Sequence, residues 1–188
     1  MSVKASLLRR AALTLVAGVV ISLPMGARAD LLHGLSIRAG AFFPSSQAVR
    51  DITDVAAFGG GIDYKVGFIP KLLNGESWTT SISADMYYSS RKAGIVRYIP
   101  VSINQVYTFE EQNGHTPYAG FCFTAATLNG TNNSSATKQP TVTRFGGGLL
   151  IGLNISKSLY WEAKYEWIDR HGLGFSADGF RTYVGWRF

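Results

Sequence analysis

The sequence predicts an all-β fold, an eight-stranded antiparallel up-and-down transmembrane β-barrel. Three observations predict it. From Leu35 onward apolar and polar residues alternate with period two, and no segment shows a convincing 3.6 period. The last strand, with Phe180, Thr182, Val184, Trp186 and Phe188 on one face and Arg181, Tyr183, Gly185 and Arg187 on the other, runs to the final residue. A barrel pairs its last strand with its first, so the chain is expected to stop where that strand stops. An export leader stands at the other end.

Met1 to Ala29 reads as a cleaved secretory signal peptide. Lys4, Arg9 and Arg10 form a basic start, Ala11 to Leu23 an apolar run, and Ala27-Arg28-Ala29 a small-x-small cleavage pattern. The run is short for a membrane helix, which needs about 20 apolar residues. Residues 30–188 are then the barrel domain. The 188-residue chain carries 18 Lys and Arg against 12 Asp and Glu, but four cations leave with the leader, so 18 − 4 = 14 against 12. The apparent basicity belongs mostly to the leader and does not point to nucleic acid. Cys122 is the single cysteine, so no intrachain disulfide forms. Stability is expected from a closed ladder that satisfies every wall backbone group.

Eight segments follow in order. Leu35–Phe43 sets Leu35, Ile37, Ala39 and Ala41 against Ser36, Arg38 and Gly40. Ala57–Phe68 sets Ile62, Tyr64 and Val66 against Gly61, Asp63, Lys65 and Gly67. Trp78–Ser89 sets Trp78, Thr80, Ile82, Ala84 and Met86 against Ser81, Ser83, Asp85 and Tyr87. Ile95–Phe109 sets Ile99, Val101, Ile103, Tyr107 and Phe109 against Pro100, Ser102 and Asn104. A bulge or break is expected at Pro100, which cannot donate to a ladder. Pro117–Leu128 puts Phe121 and Phe123 opposite Gly120, Cys122 and Thr124. Val142–Ile155 puts Phe145, Leu149, Ile151 and Leu153 opposite Arg144, Gly146, Gly148 and Gly152. The seventh is the clearest: Trp161, Ala163, Tyr165 and Trp167 alternate with Glu162, Lys164 and Glu166. The terminal strand completes the set. An even strand number is what bacterial single-chain barrels use.

With the N-terminus in the periplasm, the outer loops are Pro44–Ala56, Ser90–Gly94, Asn129–Thr141 and Asp169–Gly179. The inner turns are Ile69–Ser77, Glu110–Thr116 and Ser156–Ser158. Longer outer loops are characteristic of such barrels. Asn129, Asn132 and Asn133 fit a glycosylation pattern but read as a polar loop.

The charged face is assigned to the lumen: Arg38, Asp63, Lys65, Asp85, Arg144, Glu162, Lys164, Glu166, Arg181 and Arg187. The apolar face is assigned to lipid. Trp78, Tyr107, Trp161, Trp167, Trp186 and Phe188 suit interfacial aromatic girdles, joined by Tyr88, Phe109 and Tyr160. Periodicity alone also permits a water-soluble barrel with the faces reversed.

The chain resembles small bacterial outer-membrane β-barrels of the outer-membrane protein A, X and W type. The resemblance rests on the leader, the eight amphipathic strands, Tyr98-Ile-Pro-Val-Ser-Ile-Asn104, Pro117-Tyr-Ala-Gly and the Phe188 end. It spans Leu35 to Phe188 and implies location in the outer membrane of a Gram-negative cell. It also implies recognition of Val184, Trp186 and Phe188 by the barrel-assembly machinery. The family's usual glycine five residues before the end is Tyr183 here, so that match is partial.

A lumen of this width is filled by side chains, and mixed charges inside it are expected to pair. The expectation is therefore a monomeric structural or surface-interaction protein plugged by ion pairs. Its expected partners are outer-membrane lipid and lipopolysaccharide, the assembly machinery, and a surface ligand at the outer loops. Two alternatives stay open. Lumen glycines could leave a narrow, porin-like path for small or hydrophobic solutes. Asp169, His171, Ser176 and Asp178 could form a lipid A- or phospholipid-modifying site, although neither the close His-x-Ser arrangement of lipid A deacylase barrels nor the palmitoyl-transferase pattern is present. The main expectation is no catalysis. His33, His115 and His171 show no metal-ligand spacing, and no cofactor is expected.

Overall fold

The computed structural model describes residues 34–53, 55–66, 76–91, 94–132, 137–138, 141–169 and 177–188. The leader, most of the Ile69–Ser77 turn, and His171 and Ser176 lie outside the described residues.

Eight long strands form the wall: β1 (Leu35–Pro44), β2 (Ala57–Lys65), β3 (Trp78–Arg91), β4 (Gly94–Thr108), β5 (Thr116–Asn132), β6 (Val142–Asn154), β7 (Leu159–Ile168) and β8 (Gly179–Arg187). Each pairs antiparallel with its neighbours in sequence, and β8 returns to β1 along Ser36↔Arg187 through Pro44↔Gly179. The ring is closed, so no wall strand is left with an unpaired edge. A two-residue strand, Thr137–Lys138, pairs only with the far end of β5.

The end carrying Gly34 and Phe188, expected to face the periplasm, is called the inner end. Its β4–β5 connection is tighter than the expected Glu110–Thr116 turn. Asn113 and Gly114 both have positive φ (52° and 80°), and Gln112 and His115 exchange backbone hydrogen bonds at 2.8 and 3.0 Å. That is a two-residue turn of the primed type, which Asn-Gly favours because both residues tolerate φ > 0. At the outer end β3, β4 and β5 run to 14, 15 and 17 residues. Asn129 and Asn132, expected in a loop, lie on the extension of β5.

One helix departs from expectation. Within the β1–β2 loop, α1 (Gln47–Thr53) forms a short helix. Its hydrogen bonds are local: Gln47 donates to Asp51 at 2.8 Å, and Arg50 donates to the carbonyls of Pro44 and Ser45. Only Val49 is buried among its described side chains. Seven residues span only about two helical turns, too short a stretch for a 3.6 period to stand out in the sequence.

Pro100 produces a break and no bulge. The β3–β4 ladder skips from Ala84↔Val101 to Tyr87↔Tyr98, and the register is unchanged on either side. The other edge still places Pro100 opposite Ala126.

The wall settles which face meets lipid. Ile37, Phe58, Ile62, Val101, Phe123, Phe145, Leu149, Ile151 and Val184 all point outward and are exposed, while Arg38, Asp85, Glu162, Lys164, Glu166 and Arg181 are buried inside. A water-soluble barrel has the opposite polarity. This exterior requires a hydrocarbon solvent, and the reversed-face alternative is overturned.

Candidate functional site

Inward-facing side chains fill the lumen in three layers. The middle layer is ionic. Arg38 on β1 donates from Nε and Nη2 to the two carboxylate oxygens of Asp85 on β3, each at 2.8 Å, and from Nη1 to Glu162 at 3.2 Å. Arg181 on β8 donates to the same Asp85 at 3.2 Å and pairs with Glu166. Lys164 donates to Asn104 Oδ1 at 2.8 Å. Glu166 also accepts from Thr124 at 2.7 Å, and Cys122 Sγ lies 3.4 Å from it. Three cations and three carboxylates thus share one buried layer. Buried charges at this density are tolerable only because they are paired and hydrogen-bonded. The alternation on β7 places Glu162, Lys164 and Glu166 in one inward column, and cross-strand register brings Arg181 beside Lys164.

Toward the outer end the lumen turns aromatic. Phe42 stacks on Tyr98 with centroids 4.5 Å apart, and Tyr87 lies against both. Ala57, Val96, Ala126, Leu128, Ile168, Ala177 and Tyr183 complete the cluster. The two layers are joined: the guanidinium of Arg38 lies 4.2 Å above the Tyr183 ring, and Tyr183 donates to Asp85 at 3.3 Å.

Toward the inner end there is open space. A polar cavity of about 140 Å³ is lined by Asp63, Lys65, Asn104, Tyr118, Glu162 and Arg187 among others. Asp63 accepts from Ser81 at 2.8 Å and Asn104 at 3.3 Å. Arg187 donates to Asn154 at 2.5 Å and lies 4.4 Å over the Tyr160 ring.

The expected lumen residues are therefore not one network. Arg38, Asp85, Glu162, Glu166 and Arg181 are joined directly, whereas Lys164 is tied through Asn104 to Asp63. Asp63 and Lys65 belong to the inner cavity. Arg144 stands near the outer rim, donating to the Thr143 carbonyl at 3.3 Å. Tyr160 is buried against the lumen and is no girdle residue. Missing from the expected set are Phe42, Tyr98, Tyr118, Leu150 and Tyr160. Strict counting by twos from Arg38, Ser102, Cys122, Gly148 and Glu162 places each of them inside.

Glycines expected to leave lumen space do not all do so. Of Gly40, Gly61, Gly67, Gly146, Gly148 and Gly152, Gly152 sits opposite Tyr118, and a Cβ on it would meet the ring at 2.1 Å; Gly185, outside that set, stands likewise opposite Tyr160, at 2.3 Å. The rings occupy what the glycines vacate.

Outside, Trp78 and Tyr107 meet edge to face at 5.3 Å, and Trp161 donates to Thr182 at 2.9 Å. With Trp186 and Phe188 they stand at the inner end of the apolar face, and Trp167, packed on Tyr165 at 4.9 Å, stands at the outer end. Val184, Trp186 and Phe188 all point outward and are about half exposed. Of the last outer loop, Asp178 is committed to structure: its carboxylate accepts from the Ile168 amide at 2.6 Å and its carbonyl from Ser45 at 2.9 Å.

No protein-family model and no curated protein sequence matches the chain. Solved structures do. Neisserial surface protein A (NspA) aligns with a TM-score of 0.55 at 12% identity, covering 82% of this chain and 96% of that one. The N-terminal β-barrel domain of Pseudomonas aeruginosa OprF aligns with a TM-score of 0.51 at 14% identity, covering 83% and 98%. Ail, the attachment invasion locus protein of Yersinia pestis, aligns at 0.47 and 14%, covering 83% and 99%. At these identities the likeness concerns the fold. Closed ladder, inward charge, outward apolar wall and the alignments with NspA and the OprF barrel domain agree: the chain has the eight-stranded barrel fold of the small outer-membrane proteins.

Proposed function

We propose that this protein is a monomeric, non-catalytic barrel of the bacterial outer membrane that holds its outer loops at the cell surface, with a lumen closed to flow. The observation that carries the reading is the double obstruction. Arg181, Lys164 and Tyr87 are essentially inaccessible to solvent, so a solute would have to displace both an ion-paired layer and an aromatic one. Export through a signal peptide cleaved after Ala29 and recognition of Val184, Trp186 and Phe188 by the assembly machinery belong to the same reading. The surface role draws support from NspA, a surface protein by name with the same fold. The work of such a barrel then falls to α1 and the loops after β5 and β7.

The test is single-channel recording on the refolded mature chain in planar bilayers, with folding verified independently. A silent bilayer is the expected result. The inner cavity favours a second reading, a narrow channel gated at the ionic layer. Reproducible current steps that change with Glu162→Gln or Arg181→Gln would establish that channel in place of the closed anchor.

A further inference from the structure

We propose that the lipid face across β4, β5 and β6 holds one phosphorylated, acylated sugar lipid, its head group on Arg97 and an acyl chain in the groove beneath. The proposal rests on the outer-membrane reading above, which puts this end of the barrel in the outer leaflet.

The groove, about 350 Å³, is lined by Val101, Ile103, Phe123, Ala125 and Phe145 among others. Register explains it. Two consecutive outward rows read Val101–Ala125–Phe145 and Ile103–Phe123–Gly147. Each contains one residue with little or no side chain beside bulky ones. Gly147 faces open space, since a Cβ there would meet only the Cys122 carbonyl, at 3.2 Å.

Toward the outer end the same face becomes polar. The next row, Ile99–Thr127–Thr143, carries a hydroxyl pair hydrogen-bonded at 2.9 Å. Above it Arg97 lies between Tyr88 and Asn129, and Asn129 donates to Thr141 at 2.6 Å. Arg97 has no hydrogen-bond or ion-pair partner among the described residues.

An outward arginine at the edge of hydrocarbon needs a counter-anion. A phosphate fits the guanidinium with two parallel hydrogen bonds. This stretch of the face carries four neutral hydrogen-bonding side chains, Thr127, Asn129, Thr141 and Thr143, to one cation, with Asn129 directly opposite Arg97. That ratio suits a sugar, with its hydroxyl and amide groups, better than the ester backbone of a glycerol lipid. The apolar groove beneath that row accepts the chain the sugar carries.

The test is native mass spectrometry of the full chain, matured and folded in cells and released in mild detergent. It is challenged with bisphosphorylated lipid A, with phosphatidylglycerol and with phosphatidylethanolamine. Gel mobility before and after heating reports folding. The expected result is a single retained lipid A, at least tenfold preferred over either phospholipid. Retention should fall at least tenfold in Arg97→Gln and in Ala125→Phe, which fills the groove with an apolar ring on an apolar face. Equal retention of phosphatidylglycerol would reduce the site to a generic anion contact and overturn the sugar lipid. Unchanged retention in both folded variants would overturn the site. A folded, membrane-inserted barrel that retains no lipid defeats this inference alone, whereas a chain that fails to insert defeats the outer-membrane reading as well.

Discussion

Arg38 and Asp85 meet as a fork, Nε on Oδ1 and Nη2 on Oδ2, both at 2.8 Å, across the lumen from β1 to β3. Both side chains are essentially inaccessible to solvent. Removing one partner of such a pair leaves an uncompensated buried charge, and two arginines depend on this carboxylate. Asp85→Ala is expected to destabilise the folded barrel by about 3–5 kcal/mol. Reversible urea unfolding in lipid vesicles measures it. The double variant Arg38→Met/Asp85→Leu should cost less than Arg38→Met and Asp85→Leu added together; strict additivity in that cycle would contradict the pairing.

Ile151 and Leu150 are neighbours in sequence and opposites in environment, one 57% exposed on the lipid face and the other 2% exposed in the lumen. Ile151→Arg should cost about 2–4 kcal/mol if Ile151 stands near the bilayer midplane. The same titration in vesicles reads it. A loss near zero would place Ile151 away from the hydrocarbon and refute the outward register.

Phe42 lies stacked under Tyr98 at 4.5 Å and is 1% exposed. Phe42→Ala removes a large ring from a packed layer and is expected to cost about 3–5 kcal/mol. Bilayer recordings on this variant should stay silent, because the ionic layer still obstructs the lumen. Current from Phe42→Ala alone would show that the aromatic layer is the only barrier.

The Gly152–Tyr118 pair predicts a different kind of loss. Gly152→Ala would drive a methyl group into the ring and move the hydroxyl that donates to Glu162 at 3.2 Å. Overpacking of this kind costs about 1–3 kcal/mol. Gly152→Ala combined with Tyr118→Ala should cost less than the two single variants added together, a coupling that a double-mutant cycle reads directly.

The strands and their faces were legible because lipid and lumen impose opposite chemistry on alternate residues, and a one-residue slip would reverse every side chain. Trp161 to Trp167 shows this most plainly. The lumen's aromatic layer was harder to read, because its members do not look like lumen residues. Phe42 is followed by Phe43, which faces lipid; Leu150 is hidden inside Leu149-Leu150-Ile151; Tyr98 precedes the irregular Pro100. Polarity marks charged lumen positions, but only register assigns the apolar ones. Which acid meets which arginine was not legible either, since Arg38 and Asp85 are brought together by closure and not by spacing along the chain. The split of the lumen into a packed half and a cavity likewise depends on ring placement, which alternation does not encode.

Asp85 also has a kinetic meaning. In the unrolled sheet β3 lies two strands from β1 and five from β8, yet Asp85 binds arginines on both. Arg181 reaches it only when β8 has met β1. That ladder joins residues about as far apart in the chain as the domain allows, from Ser36 with Arg187 to Pro44 with Gly179, and contacts of long sequence separation are slow to form. Until that seam zips, Arg181 and Asp85 are each short of a partner. The last pairing event therefore also completes the charge balance of the interior, so an almost-closed barrel is electrostatically distinct from a closed one.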